Sequence, residues 1–189
     1  MTEVIISLAV GIALSACSGF RVFIPMLVAN LATRFHIFDL STGFEWLGSA
    51  TATYILGAAT IAEIMAFYIP VVDNLLDTIT TPASFIAGTI LTTSFLKIDS
   101  PELQWTLGIL AGGGLAGTIQ AGTGLLRLTS TKFTGGFGNP FLATLENIIS
   151  IFFSILTLWL PILVAILGIL LFIWLLKNIL KRFKKKKQN

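Results

Sequence analysis

Long apolar runs crowd this sequence almost end to end and close on Lys177, Lys181, Arg182 and the unbroken stretch Lys184 to Lys187. Water does not tolerate so much uninterrupted apolar side chain on a folded surface, whereas each helix that crosses a bilayer core needs about 20 such residues. With 55% hydrophobic and 11% charged residues over 189 positions, the chain has length for about five or six crossings joined by short loops. The reading is all-α: an integral membrane helical bundle of about six transmembrane segments. Residues 1–180 form the membrane domain and residues 181–189 a basic tail.

Charge supports that frame. Seven of the twelve basic residues lie in the last thirteen positions, which marks the C-terminus as cytoplasmic and the location as the cell inner membrane, crossed several times. The same tail is expected to attract anionic lipid at about 1 kcal/mol per basic residue. A net charge of +3 confined to one end argues against nucleic acid as a partner. One cysteine and one histidine leave no internal disulfide and no Cys/His metal centre, so no metal and no cofactor are expected. Leu14-Ser15-Ala16-Cys17 resembles a lipoprotein cleavage site, but Met1-Thr2-Glu3 offers no basic lead-in and apolar Phe20, Val22, Phe23 and Ile24 follow. The first segment is expected to remain as a membrane helix.

Segment one runs from about Val4 to Thr33 and, as one helix, would be about 45 Å long against a core of about 30 Å. It must tilt, protrude or break near Ser18-Gly19. Segment two runs from about Leu47 to Ile69 and stops at Pro70, and segment three from about Thr78 to Leu96. Ser100-Pro101-Glu102 is a helix start, with Ser100 as cap and Pro101 in the first turn. Segment four, about Leu103 to Leu128, is laced with glycines at small-xxx-small spacing, which predicts close helix packing and a homodimer through glycine-rich faces. Its Gly112-Gly113-Gly114-Leu115-Ala116-Gly117 satisfies a dinucleotide fingerprint, yet no strand precedes it. Asn139-Pro140 opens the last apolar stretch, which Pro161 divides into segments five and six. Basic-residue counting ties between five and six crossings; length favours six.

The halves 1–97 and 98–180 echo each other. Ser18-Gly19 matches Ala116-Gly117, Thr33-Arg34-Phe35 matches Thr131-Lys132-Phe133, and Tyr68-Ile69-Pro70 matches Trp159-Leu160-Pro161. Three crossings per half would place the second copy upside down, as in transporters with inverted 3+3 repeats and broken helices at a midplane site.

A charge at the bilayer centre costs at least about 2.5–3.5 kcal/mol, so buried ones have partners or tasks. The candidate ion- and substrate-binding residues are Arg21, Glu63, Asp73, Asp77, Gln120 and Glu146, with Asn74 and Asn147 beside them. Arg21 carries the heaviest penalty because guanidinium keeps its charge. Glu63 or Glu146 is the expected clamp for it, or a proton carrier. Asp73 and Asp77, four apart, share a helical face, but no full metal-ligand set accompanies them.

From Ser18-Gly19-Phe20-Arg21-Val22-Phe23-Ile24-Pro25 the sequence resembles a family of small bacterial and plastid membrane proteins, domain of unknown function 4126. The resemblance continues through Glu63, Pro70, Asp73, Asp77, Pro82 and Gly138-Asn139-Pro140 to Glu146. It implies that Arg21, Glu63, Asp73, Asp77 and Glu146 occur together as one cluster. The family's fourth segment often carries a histidine and a lysine where this chain has Gln120 and Thr123, so no basic shuttle is implied there. Together these features lead to a non-enzymatic function: a small transporter or permease for an anionic or proton-coupled solute or lipid. The alternative is a non-transporting scaffold or assembly factor whose buried ion pairs are structural.

Overall fold

The computed structural model describes residues 2–186; the side chains of residues 2, 70, 71, 73, 74, 180 and 182–186 lie outside that description. Of the expected basic tail, residues 187–189 and the side chains of 182–186 therefore lie outside the description. Every regular element among the described residues is helical. They are α1 (Thr2–Ser18), α2 (Phe23–Arg34), a 3₁₀ turn (Glu45–Gly48), α3 (Ala50–Ala66), α4 (Pro70–Phe95), α5 (Pro101–Leu107), a π-helical stretch (Gly108–Gly113), α6 (Gly114–Thr134), α7 (Asn139–Leu156) and α8 (Pro161–Lys186). From Pro101 to Thr134 the chain is one rod of 34 residues.

Segment one breaks at Ser18-Gly19, and the break also reverses the chain. Gly11 of α1 lies against Thr92 of α4, and Ser15 Oγ donates to Gly88 O at 2.7 Å, so α1 and α4 are antiparallel. After Arg21 the chain returns along α2, whose Asn30 amide donates to Leu47 O and Ser49 O (2.6 and 3.0 Å) at the start of α3. Glu3 and Ser7 consequently line the same surface hollow as Ile37, Asp39 and Lys97. We call this the near end. Pairs Gly88–Gly112, Thr80–Gln120 and Asp77–Arg127 make α4 antiparallel to the long rod. Gly168 against Ala16 and Leu175 against Gly122 run α8 parallel to α1 and α6. Thus α1, α3, α5–α6 and α8 point from the near end to the far end, and α2, α4 and α7 return.

The bundle is built in the sense a lipid solvent demands. Large apolar residues point outward, including Tyr54, Ile61 and Met65 of α3 and Ile162, Ile166, Leu170 and Trp174 of α8, while Ser15, Ser18, Thr92, Thr93, Ser150 and Thr157 are buried. Hydrocarbon gives no drive for helices to hide apolar surface from it, so small and polar residues form the contacts between them. Three helices, Pro101–Thr134, Asn139–Leu156 and Pro161–Ile179, are long and apolar enough to cross a membrane, and Glu3–Ser18 and Ala50–Ala66 are shorter apolar helices. This is consistent with a membrane protein.

The glycine-rich face, expected as a dimer surface, is used within the chain. Gly108, Gly112 and Gly113 sit on Thr93, Gly88 with Thr92, and Thr89 of α4. The π turn supplies the register that lets three glycines meet this one face. Ser100 caps α5 as expected, accepting from Leu103 N at 3.3 Å. In α7, Asn139 is the first helical residue and Gly138 the cap, one position earlier than the sequence signal places it; the Asn139 amide donates to Thr131 Oγ1 at 2.9 Å instead.

Candidate functional site

The hairpin tip carries the site. Gly19 is seated where a Cβ would lie 2.5 Å from Ile119 Cβ and 2.8 Å from Ala116 O, so only glycine lets α1 end against α6 here. The places matched in the two sequence halves, Ser18-Gly19 and Ala116-Gly117, therefore touch. Four residues past Gly19, α2 begins with unpaired N–H groups, as every helix does. Glu63 of α3 receives both: Oε1 accepts from Val22 N at 2.7 Å and Oε2 from Phe23 N at 3.0 Å. A carboxylate at a helix N-terminus is favoured by the helix dipole, and this one locks the reversal.

Arg21, at the tip, is fully buried. Its Nε donates to Asn147 Oδ1 at 2.5 Å, Nη2 to Ala143 O at 3.1 Å and Nη1 to Phe20 O at 3.3 Å. Nη1 also pairs with Glu146 Oε2 at 2.9 Å. A second guanidinium, Arg127 of α6, is equally buried. Its Nη2 pairs with the same Glu146 oxygen and its Nη1 with Asp77 Oδ1 at 2.5 Å. Both lie over the ring of Phe67, at 4.0 and 4.2 Å from its centroid, an attraction worth about 2 kcal/mol or more when desolvated. Gln120 extends the network from α6 to α4, donating to Thr80 Oγ1 at 2.9 Å and Asp77 Oδ1 at 3.5 Å. Tyr68 joins from the other side, its hydroxyl oxygen accepting from the Asn147 amide at 3.4 Å.

Of the six candidate residues, Arg21, Glu63, Asp77, Gln120 and Glu146 thus meet around one tip, drawn from five elements. Asp73 lies in α4, but its side chain, like that of Asn74, falls outside the described residues. The clamp on Arg21 is Glu146; Glu63 grips the backbone just after it. These two glutamates stand on α3 and α7 at different heights, seven residues before Pro70 and fifteen before Pro161, so they do different work. Arg127, near the end of segment four, is not among the six candidates. The available signal was its spacing: seven residues past Gln120, it shares that residue's helical face. Phe67 carried no signal, since an aromatic at a helix end in this composition reads as lipid-facing.

The arrangement sets two guanidiniums against three carboxylates, one of which is committed to the start of α2. No group of three His, Cys, Asp or Glu side chains capable of holding a metal occurs among the described residues. Two forked donors converge on one carboxylate oxygen in a space shielded from water, where charge-assisted hydrogen bonds are strong.

The family model described as domain of unknown function 4126 matches residues 8–182. The chain belongs to this family. The matched span takes in the hairpin tip and every charged residue of the cluster, so within domain of unknown function 4126 this chain presents a buried arginine pair. No curated protein and no solved structure matches the chain.

Proposed function

We propose that the protein is a small multi-pass inner-membrane transporter for an anionic solute or lipid headgroup. Arg21 and Arg127 are its anion-binding element and Glu146 the internal anion that occupies them at rest. The observation that carries this reading is the sharing of one Glu146 oxygen by two fully buried guanidiniums. Such a carboxylate stands where a substrate carboxylate or phosphate would lie. A substrate anion that displaces it exchanges with Glu146 on the same two guanidiniums, and we propose that this exchange couples anion to proton movement. Asp77 and Gln120 continue the polar track along α4 and α6.

In this reading α3, α4, α5–α6, α7 and α8 cross the membrane and the α1–α2 hairpin enters from the near end as the sixth embedded segment. The far end, with Lys132 and the tail, is cytoplasmic. The opposed senses of α2-α3-α4 and α6-α7-α8 support an inverted repeat, with α1 the element that departs from it. Cysteines introduced at Glu3 and Ser41 in a Cys17→Ala background are expected to react with an impermeant maleimide from the outside, and one at Phe137 only from the cytoplasmic side. Labelling of Glu3→Cys and Ser41→Cys from opposite faces would refute the hairpin.

The transport test is proton flux in proteoliposomes under an imposed pH gradient, with chloride, phosphate and small carboxylates offered in turn. Wild-type protein is expected to couple proton movement to at least one anion, and Glu146→Gln, which keeps shape but not charge, to uncouple it. If Glu146→Gln and Arg21→Lys leave every flux unchanged in folded protein, the reading fails. A structural scaffold is the second reading, favoured by the fact that each guanidinium nitrogen of Arg21 already has an acceptor. Recovery of stability by Arg21→Glu with Glu146→Arg, without a flux phenotype, would select it.

A further inference from the structure

The near end carries a separate open cavity of about 680 Å³, within the roughly 300–1,000 Å³ range of small-molecule sites. It lies between the loop after α2, the end of α4 and the start of α5, and shares no residue with the arginine cluster. Three aromatic side chains, Phe44, Trp46 and Trp105, line it together with the carboxylate of Asp99. Phe44 and Trp105 form a corner, with ring centroids 5.8 Å apart at 42°, while Trp46 and Trp105 remain about half exposed at 49% and 45%. The wall is braced from behind: the Gln104 amide donates to Ser41 Oγ at 2.7 Å, Leu96 O at 2.8 Å and Thr93 O at 2.9 Å. The cavity is therefore held open by the fold and does not depend on a ligand to shape it.

Its charge is negative. Glu3, Asp39, Glu45, Asp99 and Glu102 belong to this end against Arg34 and Lys97. Most of those charges are engaged: Lys97 faces Asp39 at 3.7 Å, Glu102 accepts from Ser100 Oγ at 2.8 Å, and Glu45 accepts from Gly43 N at 3.0 Å. The backbone amides around Glu45, its own first and Gly43's second, hold its carboxyl below the ordinary carboxylate range, so it stays ionised. Asp99 alone among the acids of this end faces the cavity, and it takes no ion-pair partner among the described residues. Aromatic side chains at a membrane surface commonly form a belt. Three of them converging on one cavity with an unpaired carboxylate is a different arrangement, the one that recognises an organic cation. An inorganic divalent ion would need a ligand cluster that the described residues do not contain.

We propose that this cavity binds an alkylated ammonium group, with Asp99 as counter-charge and Phe44, Trp46 and Trp105 as its aromatic walls. Such a group belongs either to a free solute or to the headgroup of a choline lipid. The test uses full-length protein in nanodiscs of phosphatidylglycerol, titrated with tetramethylammonium chloride against matched sodium chloride and read by tryptophan emission and melting temperature. A saturable response to tetramethylammonium beyond that of sodium is expected. Asp99→Asn and Trp105→Leu are each expected to weaken it about tenfold or more without lowering the melting temperature of the ligand-free protein. Trp105→Phe, which keeps an aromatic wall, is expected to retain most of the melting-temperature response. Repeating the titration in phosphatidylcholine discs separates the sources. A raised half-saturation concentration there assigns the cavity to the lipid headgroup, and an unchanged one assigns it to a free solute. No response in phosphatidylglycerol beyond that of sodium, or an undiminished response in Asp99→Asn, would overturn the proposal.

Discussion

Arg127→Met is expected to lower the unfolding free energy in detergent by about 3–5 kcal/mol, the cost of breaking a buried ion pair from one side. The side chain is completely buried and binds Asp77 and Glu146. Without it, Asp77 loses its cation and Glu146 keeps only Arg21. Methionine fills much of the volume, so the loss reports charge and hydrogen bonding more than packing. Arg127→Lys retains the charge but has no fork to reach two carboxylates on separate helices, and is expected to fall between the two. Combining Arg127→Met with Asp77→Asn removes the carboxylate that faced Arg127 and should recover part of the loss. Equilibrium unfolding followed by helix circular dichroism measures all four proteins. If Arg127→Met changes stability by less than about 1 kcal/mol, as a surface ion pair would, the cluster is not the anchor of the far half of the bundle.

Gly112→Ala is expected to be nearly as damaging, although it adds one methyl group. A Cβ at this position would lie 2.3 Å from Gly88 O and 2.3 Å from Thr92 Oγ1, and the reciprocal Cβ on Gly88 would lie 2.5 Å from Gly112 O. Gly88 O is backbone and Thr92 Cβ, 2.7 Å away, is fixed to its own backbone, so no rotamer change relieves the clash. The helices must separate, and the expected loss is about 1–3 kcal/mol, the range for overpacking. Gly57 and Gly114 have no atom within 4 Å of an added Cβ, and alanine there is expected to stabilise by about 0.5–1 kcal/mol through helix propensity. Thermal unfolding of the three variants side by side provides the check. Equal behaviour of Gly112→Ala and Gly57→Ala would remove the close α4 contact from the account.

Much of the candidate site could be read from residue types, because a charge inside an apolar run has few reasons to be there. Arg21, Glu63, Asp77 and Glu146 declared themselves that way, and Gln120 followed from its place in the glycine segment. Arg127 did not, because it lies near the end of its run, where an arginine ordinarily reaches water. What buries it is the length of α6, which carries on to Thr134 and leaves Arg127 two turns inside. The division of labour between the two glutamates was likewise invisible. Both are acids on matched helices, and only the height of each relative to the hairpin tip decides which meets a guanidinium and which meets a pair of N–H groups.

The sequence by itself determined the helical class and an apolar character consistent with a membrane, and it named Ser18-Gly19 as the place where an overlong first segment would break if it did not tilt or protrude, since composition and the reach of a helix against bilayer thickness are local quantities. Only the tertiary structure decided that the broken segment turns back, that the glycine face is occupied by α4, and that Arg21 and Arg127 share Glu146. Those outcomes depend on which surfaces meet. Where the exterior of such a chain is apolar, its outward side chains carry almost no information about neighbours. The choice falls to a few contacts far apart in sequence: Gly19 seated on Ile119, Glu63 on the start of α2, and one carboxylate between two guanidiniums.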